Sequence, residues 1–172
     1  MAKTISYFFT MVMMMASEPV RVDVHDQVGL KPDELRMALA EAKLVMARAG
    51  VEVEWVASGG AYAIGIRQDA PAELSPLAMG FAMLGTGQGN TACAIYSRVV
   101  RLVEDVNGSR APVPVVLGYV IAHELTHLLT RSKRHSPGVM GARWSLADLR
   151  AMSQRRLHFT AAQAEELRRW NR

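Results

Sequence analysis

Between Val115 and Thr130 the chain is apolar except for one cluster, His123, Glu124, Thr126 and His127. A run this long and this apolar reads as a buried helix, entered through Pro112 and Pro114, since proline in a first turn gives up no intrahelical hydrogen bond. A helix buried on all sides cannot carry two imidazoles and a carboxylate without partners, because desolvating unpaired polar groups is costly. Any fold of this chain must therefore supply something to that cluster. His123 and His127 are four residues apart and share a helix face, with Cβ atoms about 6 Å from each other. Both imidazoles can then reach one ion, and Zn²⁺ takes such nitrogens at about 2.0–2.1 Å. Glu124, one residue beyond His123, is placed to touch a water on the metal and not the metal itself.

A catalytic zinc takes three protein ligands and keeps one position open. His135 follows His127 by eight residues, enough for the helix to end and the chain to turn back. Ser136-Pro137-Gly138-Val139-Met140 then forms a tight turn ending in methionine. Asp148, or a glutamate of the last helix, is the alternative third ligand on residue type alone.

The remaining pattern predicts a mixed α/β (α+β) domain. Val20, Val22 and Val24 alternate with Arg21, Asp23 and His25, which predicts a strand with one polar face. Pro32 opens a helix whose stripe runs from Leu35 to Ala49, ended by Gly50 as a left-handed cap. Strands are expected at Val51–Trp55, around Ala63–Arg67, at Gly80–Leu84 and at Thr91–Tyr96, the last two flanking a Gly-Thr-Gly-Gln-Gly-Asn turn. Leu102–Val106 suits helix or strand, and Asn107-Gly108-Ser109 breaks it. Ser145 is expected to cap a helix reaching Arg156, and Thr160 one reaching Trp170.

The 172 residues, 50% apolar and 21% charged, make one domain and exclude a disordered or fibrous chain. The single cysteine, Cys93, excludes an internal disulfide and a cysteine metal cluster, and reads as a small hydrophobe in a strand. A formal charge of +4 is only mildly basic. Arg131, Lys133, Arg134, Arg155, Arg156, Arg168, Arg169 and Arg172 are read as solvated surface, with no nucleic-acid partner, because no aromatic motif accompanies them. Trp55 and Trp144 are expected in the core or as shelves.

The pattern HELTH, a third histidine shortly after, then a turn with methionine resembles the metzincin clan of zinc endopeptidases. The His-Ser pair before the methionine is most similar to the matrixins, and HELTHLLTRSKRHSPGVMGARW resembles a group of small secreted bacterial metzincin-like proteins. The resemblance implies a metzincin-like fold, with His123, His127 and His135 as zinc ligands, Glu124 as general base and Met140 beneath the metal. It also implies a peptide or protein substrate, extended along an antiparallel edge strand near Gly80–Leu84. The motif-specific part is Leu117–Trp144. Two positions depart from the clan's pattern: Thr130 stands where its helix-ending glycine would be, and the third histidine comes two residues later. A monomer is expected. The competing reading is a catalytically silent zinc-binding domain that engages a peptide or protein partner.

Residues 1–17 have the layout of a secretory signal peptide, with Lys3, an apolar run from Ile5 to Met15, and Ala16-Ser17 before Glu18-Pro19. The expected arrangement is a signal at 1–17 and a catalytic domain at 18–172, secreted or in a bacterial envelope, with no membrane segment after signal removal. N-terminal sequencing of the exported protein should read from Glu18 or a residue beside it. Export with Met1 retained would reject this.

Overall fold

A computed structural model describes residues 18–84, 90–106 and 110–170. The signal-peptide expectation, the tip of the Gly-Thr-Gly-Gln-Gly-Asn turn and the Asn107-Gly108-Ser109 break lie outside the described residues. The elements run β1 (Val20–Asp26), α1 (Pro32–Arg48), β2 (Val53–Val56), β3 (Tyr62–Arg67), β4 (Gly80–Met83), β5 (Thr91–Ile95), α2 (Tyr96–Asp105), α3 (Val113–Thr130), α4 (Leu146–Ser153) and α5 (Ala161–Trp170), with one 3₁₀ turn at Gly138–Met140. The result is a mixed α/β domain with a five-stranded sheet in the order β2-β1-β3-β5-β4.

Four strands are parallel, and β4 joins β5 antiparallel at one edge, Phe81 opposite Cys93 and Met83 opposite Thr91. The parallel centre is fully apolar where it meets the helices: Val22, Ile64, Ile66, Ala92 and Ala94 are all inaccessible. Burial on both faces explains why β3 and β5 lack a clean alternation in sequence. α1 begins with Pro32 in its first turn, carries Asp33 and Glu34 there and Arg48 in its last, so its charges complement the helix dipole. Gly50 follows it at φ +85°, a left-handed conformation that glycine adopts without strain.

The segment Leu102–Val106, ambiguous in sequence, is helical through Asp105, the last residue of α2, with Val106 as its cap. α2 starts directly from β5 at Tyr96. Its polar residues Arg98, Arg101, Glu104 and Asp105 are partly or fully exposed while Val99 is buried, a period that only a helix produces. α4 ends at Ser153, before the expected Arg156, because Arg155 turns to φ +55° and cannot continue a right-handed helix.

α3 is long and apolar enough to cross a membrane by length and composition, yet 89% of it is buried inside the domain. It packs across α1 at Gly118, where an added Cβ would lie 2.7 Å from the Ala38 carbonyl oxygen and 2.7 Å from Glu41 Cβ. Ala38 and Ala42, both inaccessible, provide the matching small surface on α1. Gly118→Ala tests that crossing. Alanine would gain about 1 kcal/mol in helix propensity, but overpacking against backbone typically costs about 1–3 kcal/mol. The clash with a carbonyl oxygen places the cost at the upper end, so the urea midpoint should fall. A midpoint equal to or above the parent's would mean the helices are not in close contact there.

Candidate metal centre

α3 divides its polar residues between two faces. Thr126 turns toward α1, bonding the Ala122 carbonyl at 2.8 Å and lying 3.8 Å from Met46 Sδ. His123 and His127 turn the other way, with ring centroids 4.7 Å apart and planes at 77°. Each ring is anchored through Nδ1: His123 to the Val139 carbonyl at 2.8 Å, and His127 to the Ser132 carbonyl at 2.6 Å. A carbonyl only accepts, so both Nδ1 atoms carry the proton and both Nε2 atoms present lone pairs.

Those two Nε2 atoms are 3.0 Å apart. With neither bearing hydrogen, the distance describes two facing acceptors and not a hydrogen bond. Repulsion between them is relieved by a cation that both can share. Two imidazole nitrogens bound tetrahedrally at about 2.0–2.1 Å lie about 3.3–3.4 Å apart, close to what is present. Burial lowers the His123 pKa to about 4, an effect the neighbouring His127 and His135 reinforce and the Val139 carbonyl opposes. Burial lowers that of His127 too. Both rings are therefore neutral and ready to ligate at neutral pH.

His135 completes the set. Its ring stacks on His123 at 5.2 Å and meets His127 edge-on at 4.9 Å. The three ligand nitrogens lie within 4.8 Å of one another, two rings buried and His135 exposed. Three imidazoles on one centre can hold a metal ion, and imidazole suits Zn, Cu, Fe or Ni. Among the described residues, no carboxylate joins this group. Asp148, the alternative third ligand, is used elsewhere: its Oδ2 accepts Ser145 N at 2.8 Å and Ser145 Oγ at 2.7 Å, capping α4. Glu165 of the last helix pairs with Arg169 at 2.5 Å.

The loop that returns His135 solves its turn without a glycine. Arg131 takes φ +49°, ψ +33° and ends α3 in the left-handed region, one residue after the position where the related pattern has glycine. Ser132 follows, and its carbonyl is the one that receives His127. Further on, Ser136 N donates to the Met140 carbonyl at 3.0 Å and Val139 N to the His158 carbonyl at 3.2 Å. Gly138 is required here, at φ +88° and with the His158 carbonyl oxygen lying where a Cβ would be. Met140 is buried in this turn.

Three contributors to the centre were not evident from sequence. Gln163, 8% exposed, accepts Thr160 N at 2.7 Å as an α5 cap and donates through Nε2 to Ser136 Oγ at 2.6 Å and the Pro137 carbonyl at 3.1 Å. The cap pattern Thr-x-x-Gln was visible, but nothing in it indicated a second role. Gly80 of β4 is the second: an added Cβ would lie 2.6 Å from Glu124 Cγ and 2.7 Å from its Oε1, so the edge strand passes directly over the carboxylate. A glycine at the start of a predicted strand is the signal that could have found it. Trp144, expected in the core or as a shelf, is buried with its ring edge-on to His123 at 5.8 Å and Nε1 donating to the Gly138 carbonyl at 3.3 Å.

Glu124 itself is only 5% exposed, and burial pushes its carboxyl up to about 8. With the three histidines it lines a cleft of about 490 Å³, together with β4 and Ala142 to Trp144. The chain matches no protein-family model and no curated protein.

Metal titration with a competing chelator should sort these residues. His135→Ala is expected to lose at least tenfold in affinity, as removal of a ligand costs no less than loss of a group that orients one, about 10–100-fold. Gln163→Glu keeps the acceptor for Thr160 but removes both donors to the Ser136–Pro137 turn, and should also lose about tenfold. Asp148→Ala should bind like the parent. Unchanged affinity in the first two, or loss in the third, would contradict this ligand set.

Proposed function

We propose that this protein is an exported zinc-dependent endopeptidase built on the metzincin plan, with His123, His127 and His135 as ligands and Glu124 as general base. The observation that carries the reading is the pair of opposed Nε2 lone pairs on α3, completed by His135 and flanked by a buried carboxylate in an open cleft. The order of strand, helix, strands, long helix, methionine turn and C-terminal helix supports it, α2 being an addition to that order.

Zinc, when bound, supplies an acidified water and polarisation of the scissile carbonyl. The rest falls to the chain. Glu124 takes a proton as the water attacks and hands it to the departing amine. A dry setting that raises its pKa to about 8 suits a group that must hold a proton between those steps, and a neighbouring divalent charge draws that pKa back down. Among the described residues β4 has one unpaired edge, which offers main-chain donors and acceptors to an extended peptide. Gly80 keeps that strand close enough to Glu124 for a bound peptide to lie over the carboxylate.

Glu124→Gln keeps the shape and removes the proton acceptor. Zinc should stay bound, while cleavage of an unfolded protein should drop by at least ~10²-fold, the ordinary size of a general-base contribution. Undiminished cleavage would remove Glu124 from the mechanism. A zinc-loaded parent that cleaves nothing would leave a zinc-binding domain without turnover. The same variant has a metal-free readout. The folded pKa of Glu124 lies above its unfolded value of 4.5, so its contribution to stability is fully present below pH 4.5 and lost as pH rises through about 8. The melting temperature of metal-free Glu124→Gln should therefore gain on the parent's from pH 5 to about pH 8 and level off above it.

A further inference from the structure

A second cavity, about 250 Å³, adjoins the metal cleft and shares Leu77, Met79, Arg143 and Trp144 with it. Its apolar lining is Pro76, Leu77, Met79 and Trp144 with Leu102 of α2. Its rim is cationic: Arg98 and Arg101 come from α2 and Arg143 from the segment after the methionine turn, against a single carboxylate, Asp105.

The three guanidinium groups differ in how they are held. Arg98 is partly buried and oriented by backbone, its Nη1 donating to the Ser75 carbonyl at 2.6 Å and to the Ala78 carbonyl. Both acceptors are neutral, and among the described residues no acid pairs with it. Arg101 and Arg143 are exposed, and neither has a hydrogen bond or ion pair among the described residues. One fixed and two adaptable cations thus converge on an apolar recess next to the metal centre. The recess is smaller than the roughly 300–1,000 Å³ of sites for drug-sized molecules. It suits one side chain of a longer ligand, with methylenes against Leu77 and Trp144 and a carboxylate at the rim.

We propose that this recess is a specificity pocket for an acidic side chain of the peptide, glutamate above all, one or a few residues from the scissile bond. The proposal rests on the peptidase reading for the presence of a peptide in the cleft. What it adds is the chemical class of substrate. A single exposed ion pair contributes little. Several cations around a partly enclosed carboxylate, able to bond it bidentately through guanidinium, discriminate more strongly. Lys133, exposed on the lining of the metal cleft, adds to the same field. Like charge would repel a lysine or arginine at that position, which gives selectivity by exclusion as well as by attraction.

The test uses zinc-loaded Glu124→Gln, so that binding is read without turnover. The probes are acetylated octapeptides of alanine, serine and leucine with one glutamate moved along the chain, each paired with its glutamine isostere. Binding is followed by calorimetry at low salt. For one glutamate position, affinity should exceed that of the glutamine partner by about tenfold, shrinking several-fold at 0.5 M salt as screening shortens the reach of the charges. Arg101→Glu combined with Arg143→Glu, both on exposed side chains, should abolish that preference and favour a lysine peptide instead. Equal binding of every glutamate and glutamine pair, with the zinc-loaded parent still cleaving unfolded protein, overturns the pocket and leaves the peptidase reading standing. No peptide bound and nothing cleaved overturns both. A glutamate preference that survives the double charge reversal overturns the assignment to these arginines.

Discussion

Two imidazole nitrogens point their lone pairs at each other across 3.0 Å on the buried face of α3, and each is held there by a carbonyl on the far side of its ring. Rotating either ring away would break that bond. The carbonyls come from Val139 and Ser132, in the stretch that follows the helix. The path of residues 131–140 is thus fixed from both ends. It begins at the left-handed Arg131 and finishes in the turn that Gly138, His158 and Gln163 hold against α5. His135 lies between these two anchors. Its exposure beside two buried rings follows from its place on a loop.

The opposite side of α3 supplies the rigidity that such a centre needs. Gly118 lets α1 approach at backbone distance, and Thr126 and Tyr119 bring polar groups into the interface with partners already present. Tyr119 donates to the Leu157 carbonyl at 3.2 Å, and burial raises its pKa to about 12, so the phenol remains a donor across the ordinary pH range. Nearby, Glu41 is 2% exposed and pairs with Arg155 at 3.0 Å, while Arg48 donates to the Arg155 carbonyl at 2.6 Å. These contacts tie α1 to the segment between α4 and α5. A positive φ at Arg155 is part of how that segment reaches α1.

β4 connects the centre to whatever occupies the cleft. It is short, antiparallel at the edge of an otherwise parallel sheet, and it crosses Glu124 at a glycine. Arg98 bonds the carbonyls of Ser75 and Ala78 in the stretch before it, so α2 steadies the approach to the edge strand while lining the adjoining recess. α2 therefore links the position of the strand to the charge around the cleft.

The sequence by itself determined the elements whose signals are local. The His-Glu-Leu-Thr-His spacing, the apolar length of α3, the alternation in β1 and the caps at Ser145 and Thr160 all depend on residues within a turn or two of each other. Local spacing alone was enough to put His123 and His127 on one face. Leu102–Val106 remained open because five residues do not separate helical from strand periodicity when one face is partly exposed. The tertiary structure decided what depends on distant segments. Among these are the choice of His135 over Asp148 beside the other two rings, the passage of Gly80 over Glu124, and the second use of Gln163. It also brought Arg98 and Arg101 next to Arg143. Each of these is a meeting of groups from separate elements or loops. Such meetings are set by how helices and strands pack, which leaves no periodic trace in the chain.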